Sequence, residues 1–314
     1  MTLRSSIAPI PPGALDLAGA VVQRRRELEE RMLARLARAH YDEIVPPTFE
    51  YAEVFVRAAG SAVADRMIRF LDLDGQLLAL RYDFTASVAR LAATKLSGRA
   101  TPLRLCYAGH VFRQDPGREG RRPREILQVG GELLGDDRAA ADIEVLELAL
   151  ELVRCANPAE FQINVGHAGA LAPALDALAP EERAAVRDLI HRKDAGGLAV
   201  AAPASLRRLP FVIGRREALD EAARVAPEAA PAIARLAAID QALSPDDRRH
   251  VVYDFGEVRA LDYYTGMHFE VFVAGAGAAV GAGGRYDDLM ARFGRPLPAV
   301  GLALDLDSVA AAAA

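Results

Sequence analysis

Apolar spacing divides the chain into short strands and helices, and one long helical stretch interrupts the series. From Asp16 to about Ala39 an amphipathic helix is predicted, with Leu28, Met32, Leu33 and Leu36 at helical spacing and charges between them. Tyr41–Val45 reads as a short strand stopped by Pro46-Pro47, and a helix follows around Tyr51–Ala59. Ile68–Leu73 and Leu77–Leu80 flank Asp74-Gly75, a hairpin signal, and Thr85 stands where a helix running to about Leu96 needs a cap. Leu103–Phe112 and Glu125–Leu134 predict two long strands joined by a loop, Arg113–Arg124, rich in Arg, Gly and Pro. Ala139–Val153 predicts a helix and Phe161–Val165 a strand.

From about Gly166 to Asp247 the pattern turns Ala- and Leu-rich and helical, with strand character only at Phe211–Ile213. This predicts a helical insertion over 166–249 in a discontinuous core made of 1–165 and 250–314. Strands return at Val251–Phe255, His268–Val273 and Ala279–Gly281. A turn at Gly283-Gly284 opens a further helix, and Ala299–Leu304 is the last strand. The expected class is α+β: a six- or seven-stranded, mostly antiparallel sheet flanked by helices.

Composition narrows the function. With 52% apolar residues in 314, the chain can bury a substantial core. A net charge of −5 argues against a protein whose main task is gripping nucleic acid. Two cysteines, Cys106 and Cys155, lie in apolar stretches and fit a reduced compartment. No apolar signal core follows Met1, and no run reaches the roughly 20 apolar residues that span a bilayer, so a soluble, cytoplasmic protein is expected. The six histidines lack metal-ligand spacing, and neither a P-loop nor a dinucleotide fingerprint occurs; no metal or cofactor is expected.

Several short segments could carry chemistry. Arg113, Arg118, Arg121, Arg122 and Arg124 crowd the long loop, where guanidinium groups could close over phosphate oxygens or simply be solvated. Gln128 and Glu132 are four apart in a strand and share a face, with Gly130 between them leaving room for a ligand; an exposed polar face is the alternative. Asp83 and Thr85, at a strand-to-helix junction, could hold an ammonium group or cap the helix. Arg259-Ala-Leu-Asp-Tyr-Tyr264 combines a cation, an acid and two phenols in six residues.

Taken in order, these segments resemble a class II aminoacyl-tRNA synthetase of the histidyl type. Tyr41–Pro47 with Glu50 resembles the dimer-forming first motif, and Phe112–Asp115, Arg124 and the strand through Gln128 and Glu132 resemble the second. Arg259–Tyr264 is similar to a histidine-specific motif that usually reads Arg-Gly-Leu-Asp-Tyr-Tyr, and Ala282–Leu289 with Pro298–Ser308 resembles the third motif. The resemblance implies a synthetase-like antiparallel sheet and assigns Asp83, Thr85 and Gln128 to an amino acid's ammonium. It assigns Arg259 to the carboxylate, Glu132 and Tyr264 to an imidazole, and Arg113 and Arg124 to phosphate.

The departures fall on the nucleotide side. The arginine that ends the third motif and holds ATP is Ser308 here, the adenine-reading glutamate is Asp115, and the adenine-stacking aromatic matches Ile126. The chain stops after the third motif, so an anticodon-binding domain of about 100 residues is expected to be absent. A triphosphate site without its arginine forfeits about 1.5–3 kcal/mol of charge-assisted contact. The pattern resembles the regulatory subunits of ATP phosphoribosyltransferase. That resemblance implies a non-catalytic chain with no catalytic residues of its own, partnered with the short-form catalytic subunit. It also implies histidine as feedback effector and a homodimer within a larger hetero-oligomer. Neither membrane nor tRNA is expected as a partner. The rival readings are an active histidyl-tRNA synthetase fragment and a stand-alone amino-acid ligase or tRNA-binding module.

Overall fold

The computed structural model describes residues 10–114, 123–257 and 264–312. Along the chain come α1 (Ala20–Arg38), β1 (Asp42–Glu43), β2 (Phe49–Tyr51), α2 (Ala52–Ala59), β3 (Arg69–Leu71), β4 (Leu77–Leu80) and α3 (Phe84–Ala93). Then follow β5 (Leu103–Phe112), β6 (Glu125–Leu134), α4 (Ala139–Cys155) and β7 (Phe161–His167). The helical stretch holds α5 (Ala168–Asp176), α6 (Pro180–His191), α7 (Ala195–Ala201), α8 (Ala204–Arg208), the two-residue β8 (Ile213–Gly214), α9 (Arg216–Val225), α10 (Ala230–Ala242) and α11 (Pro245–Arg248). The chain returns through β9 (Val251–Asp254), β10 (Met267–Val273), β11 (Gly281–Arg285), β12 (Ala299–Asp305) and α12 (Leu306–Ala312).

Among the described residues nine strands form one mixed sheet in the order β1-β5-β6-β12-β11-β10-β7-β9-β8, and β2-β4-β3 make a small second sheet. The main sheet is larger than the expected six or seven strands, because the short β1 and β8 close its two edges. Two of its pairs, β1–β5 and β7–β9, are parallel. The long hairpin β5–β6 has the predicted ends, since ten-residue alternating runs leave little latitude in register.

Two layers cover the sheet. Leu28, Met32 and Leu36 of α1 and Val145 and Leu146 of α4 pack on the back face, in the same apolar cluster as Leu206, Leu219 and Leu236 of the helical stretch. On the front, Phe55 of α2, Phe84 and Val88 of α3, and Met290 pack over Leu105 and Tyr107 of β5. Among the described residues no helix is long and apolar enough to cross a membrane.

Three local expectations are corrected. The strand placed at Ala279–Gly281 runs instead over Gly281–Arg285, so Gly283-Gly284 lies within β11. A methyl on Gly283 would overlap the Phe269 ring and lie 2.5 Å from the Gly301 carbonyl, so close approach, not a turn, demands glycine there. The expected helix beyond is a single 3-10 turn, Met290–Phe293. Thr85 is not the cap of α3: Asp83 accepts the Ala86 N–H at 2.9 Å and starts the helix.

A buried guanidinium ties the front layer to the sheet. Arg81 donates to the carbonyls of Pro46 (2.9 Å), Pro47 (3.0 Å) and His110 (2.7 and 3.0 Å), and lies 4.0 Å from the centre of the Phe84 ring. A lysine ammonium cannot span three carbonyls in a fork. Arg81→Lys is therefore expected to destabilise the fold by about 1.5–3 kcal/mol in urea titrations, whereas Arg99→Lys, at an exposed ion pair, shifts it by less than about 1 kcal/mol. Equal effects would contradict the clamp.

Candidate functional site

The site is built on the front face of β6. Gln128, Gly130 and Glu132 project there, and ladder register sets their neighbours. Glu132 stands opposite Leu105 of β5 and Gly301 of β12; Gly130 stands opposite Tyr107 and Ala303, and Gln128 opposite Gly109 and Asp305. Beyond Gly301 the same row continues through Gly284 of β11 to His268 of β10. The front face is thus floored by small residues, and the polar side chains lie down across it. Glu132 Oε2 occupies the space a methyl at Gly301 would need, the Tyr107 hydroxyl sits 2.6 Å from where a Gly130 Cβ would be, and the Tyr264 ring lies over Gly284. The space expected beside Gly130 for a ligand is filled by the Tyr107 phenol, a correction that follows from the cross-strand register.

Glu132 is 1% exposed and anchors the cluster. Its Oε1 accepts the Thr85 hydroxyl at 2.9 Å and the Tyr107 hydroxyl at 3.2 Å. Its Oε2 accepts a short hydrogen bond from the Tyr286 hydroxyl. Burial pushes the Glu132 carboxyl up to about 7; the three hydroxyl donors oppose that rise and the nearby Asp83 charge adds to it. The same burial, with the Glu132 charge, pushes the Tyr107 phenol well above its ordinary range, so Tyr107 stays a donor.

The structure brings Thr85 and Glu132 into direct contact and places Asp83 beside them. Burial raises the Asp83 carboxyl, opposed by the Ala86 N–H and the Arg113 guanidinium. Thr85 gives its hydroxyl hydrogen to Glu132, which leaves its oxygen as an acceptor. Gln128 is buried on the same face. The Tyr264 ring lies 5.9 Å from the His268 ring at 30° between planes. Arg259, Asp262 and Tyr263 fall outside the described residues, as do Asp115, Arg118, Arg121 and Arg122. Sequence reasoning missed Tyr107, Tyr286, Gly301 and His268. The parity of β5 relative to Gly130 marks Tyr107, and continuing β11 through Gly283-Gly284 would have brought Tyr286 to the same face.

The opposite end of the face is differently equipped. Ser308 donates its hydroxyl to Asp305 Oδ2 at 2.8 Å and its N–H to Asp305 Oδ1 at 3.1 Å. Burial raises the Asp305 carboxyl. Asp307 is held by Arg25, at 2.8 Å, and Arg25 also reaches the His110 ring at 3.0 Å. Arg113 donates to the Tyr82 carbonyl at 3.0 Å and lies 5.1 Å from the centre of the Tyr82 ring, while Arg124 contacts Gln114 at 3.4 Å. Ile126 packs against the front core. A cleft of about 490 Å³ lies elsewhere, on the back of the sheet, lined by His167, Asp142, Arg235 and Arg285 among others. Its arginines are already matched by Asp142 and Asp287, so the front face, with its buried carboxylate, is the stronger candidate.

The buried carboxyl has a thermodynamic consequence. Below about pH 4.5, the ordinary value, folded and unfolded chains both hold the Glu132 proton. Between there and about 7 the unfolded chain releases it first, so this group makes stability fall as pH rises, by about 1.4 kcal/mol per unit. His167, depressed to about 4 by burial and then by Arg235 and Arg285, has the opposite slope over an overlapping range. The difference between Glu132→Gln and the parent chain isolates the Glu132 contribution. In urea unfolding the variant is expected to gain on the parent steadily from pH 5 to 7; a pH-independent difference would contradict the raised carboxyl.

Comparison with known proteins agrees with this architecture. A family model described as histidyl-tRNA synthetase matches residues 13–309. The ATP phosphoribosyltransferase regulatory subunit of Moorella thermoacetica is 37% identical over 95% of this chain and 80% of its own length. A crystal structure described as an ATP phosphoribosyltransferase regulatory subunit/histidyl-tRNA synthetase from Bacillus halodurans superposes with a TM-score of 0.88 at 32% identity, covering 98% of this chain and 84% of that one. A histidine–tRNA ligase subunit from Alicyclobacillus acidocaldarius gives a TM-score of 0.78 at 32% identity, covering 97% of both chains. The sheet that carries Glu132 is accordingly a synthetase sheet, and the chain belongs to the histidyl-tRNA synthetase-like family that includes the ATP phosphoribosyltransferase regulatory subunits.

Proposed function

We propose that this chain is a regulatory subunit of ATP phosphoribosyltransferase, working in histidine biosynthesis beside a short-form catalytic subunit, and that its front pocket senses histidine. The observation that carries the pocket reading is the bonding state of Glu132. A carboxylate offers about four acceptor sites; Thr85 and Tyr107 fill two on Oε1 and Tyr286 fills one on Oε2. The remaining site, on Oε2, suits one N–H, as an imidazole presents. An imidazole titrates near 6.5 and Glu132 near 7, so ring and carboxyl can share a single proton in a dry site. In this reading Tyr264 packs on the ring, and the ammonium lies by Asp83, Gln128 and the Thr85 oxygen. Arg259 meets the ligand carboxylate.

Support for a non-catalytic role comes from the other end of the face. Where the synthetases have an ATP-gripping arginine, Ser308 is folded onto Asp305, adding a half-buried carboxyl where a triphosphate would need cations. Arg113 and Arg124 are proposed as residual anion contacts. The division into a core, 1–165 and 250–314, and a helical insertion, 166–249, belongs to the same proposal, as does a cytoplasmic location. The Alicyclobacillus relative keeps the ligase reading as the rival. Purified alone, the chain is expected to give no histidine-dependent pyrophosphate exchange; added to a short phosphoribosyltransferase, it should raise phosphoribosyl-ATP formation and make it histidine-sensitive. Robust exchange, or a catalytic subunit indifferent to the chain, would overturn this reading.

A homodimer is part of the proposal. Phe49, Tyr51, Phe70, Leu71 and Leu77 of the small sheet are exposed, with Val45 at 85% and Leu73 fully open, close to Pro47 in the first-motif segment. Phe49 and Phe70 meet edge to face at 6.1 Å. By the ladder register Phe49, Tyr51 and Phe70 share one face of this sheet and Leu71 and Leu77 the other, and so many exposed apolar side chains around one small sheet mark an association surface. Sedimentation is expected to show a dimer at micromolar concentration that Phe49→Asp disperses; a monomeric parent chain would contradict it.

A further inference from the structure

The pocket is braced from behind the sheet by one carboxylate. Successive residues of β11 point to opposite faces: Gly284, under the Tyr264 ring, faces the front, Arg285 the back, and Tyr286, whose hydroxyl donates to Glu132, the front again. The Arg285 guanidinium, 5% exposed, donates through Nε to Asp142 Oδ1 at 2.7 Å. Its Nη1 donates to the Asp136 carbonyl and to Asp287, each at 3.0 Å. The Arg285 carbonyl accepts the Thr265 N–H at 2.8 Å, one residue from Tyr264. The other oxygen of Asp142 accepts Arg235 Nε at 2.7 Å. Arg235 belongs to α10, in the helical stretch, and its Nη2 also bonds the Asp137 carbonyl at 2.8 Å. Asp142 is 0% exposed and its two oxygens are thus divided between the strand that leads into Tyr286 and a helix of the insertion.

Resting on the histidine-pocket reading, we propose that Asp142 is a positioning residue for that pocket, and that it couples the docking of α10 to ligand binding. The physical reason is that a buried carboxylate and a buried guanidinium must stay paired. If α10 shifts and Arg235 withdraws, Asp142 loses one of its two cations and re-centres on Arg285. Arg285 then carries the backbone between Gly284 and Tyr286, and with it the Tyr286 phenol that bonds Glu132 and the backbone beneath the Tyr264 ring. The about 490 Å³ cleft bordering Arg235 and Asp142 gives Arg235 space to withdraw. By linkage the effect runs both ways: a ligand that fixes Tyr264 and Tyr286 strengthens the hold on α10 by the same factor.

The test uses L-histidine calorimetry on the full chain, with hydrogen exchange of the α10 amides read in parallel. Arg235→Gln, at a partly exposed side chain, keeps the Asp142–Arg285 pair and should fold; Asp142→Asn is the stronger variant. The dissociation constant is expected to rise about fivefold or more in each, the lower end of usual couplings. Histidine should slow exchange in α10 of the parent chain, and at saturation should fail to do so in Arg235→Gln. A purely structural role for Asp142 would lower the unfolding midpoint without that ligand-dependent protection. Affinity lost in Glu132→Gln but unchanged in Arg235→Gln, with no protection of α10, overturns the coupling alone. No binding to the parent chain, or affinity unchanged in Glu132→Gln, overturns the pocket reading and the coupling with it.

Discussion

An ionisable carboxyl on the floor of a folded sheet is costly unless its oxygens are bonded, and the arrangement around Glu132 follows from that requirement. Thr85 comes from the first turn of α3, Tyr107 from β5, and Tyr286 from just beyond β11, so three separate elements must be in register before the carboxylate is satisfied. Gly301 supplies the space for Oε2 on the neighbouring strand. A half-satisfied group of this sort destabilises a core, whereas a fully bonded one fixes a single arrangement. Even so, burial wins over the three hydroxyls and leaves the carboxyl near 7. The site therefore stores a tendency to take a proton or a proton donor.

The two ends of the front face divide the chemistry. Around Glu132 the groups are uncharged donors held by burial, the kind of surface that reads a small polar ring. Around Asp305 and Ser308 the groups answer one another: hydroxyl to carboxylate, Arg25 to Asp307. A site whose polar groups are already mutually paired gains little from a triphosphate. Under the proposed role in histidine biosynthesis there is a reason to keep the first half and let the second close on itself, since a feedback sensor must bind the end product without activating it.

Much of this was legible in the sequence, and the limits have physical causes. The β5–β6 hairpin and the helix of α4 were fixed by long runs with clear period. Gln128 and Glu132 could be singled out because polar residues stood on one face of a core strand, whereas Asp83 and Thr85, ordinary at a helix start, stood out only through the family resemblance. The path of β11 was not legible: Gly281-Ala-Gly-Gly284 has no strand propensity, and only the close approach of Phe269 and β12 makes a strand of it. Tyr286 was lost with it. The Arg81 clamp and the Asp142 brace were hidden for another reason, because both join residues far apart in sequence, and nothing local distinguishes a buried arginine from a solvated one.

The most direct test of the account is an experimental structure of the chain with its phosphoribosyltransferase partner and bound histidine. The account predicts the ligand on the front face, with one imidazole nitrogen within hydrogen-bond distance of Glu132 Oε2, the ring against Tyr264, and the ammonium toward Asp83 and Gln128. Histidine bound only at the junction between subunits, with the Glu132 cluster unchanged from the free chain, would contradict it.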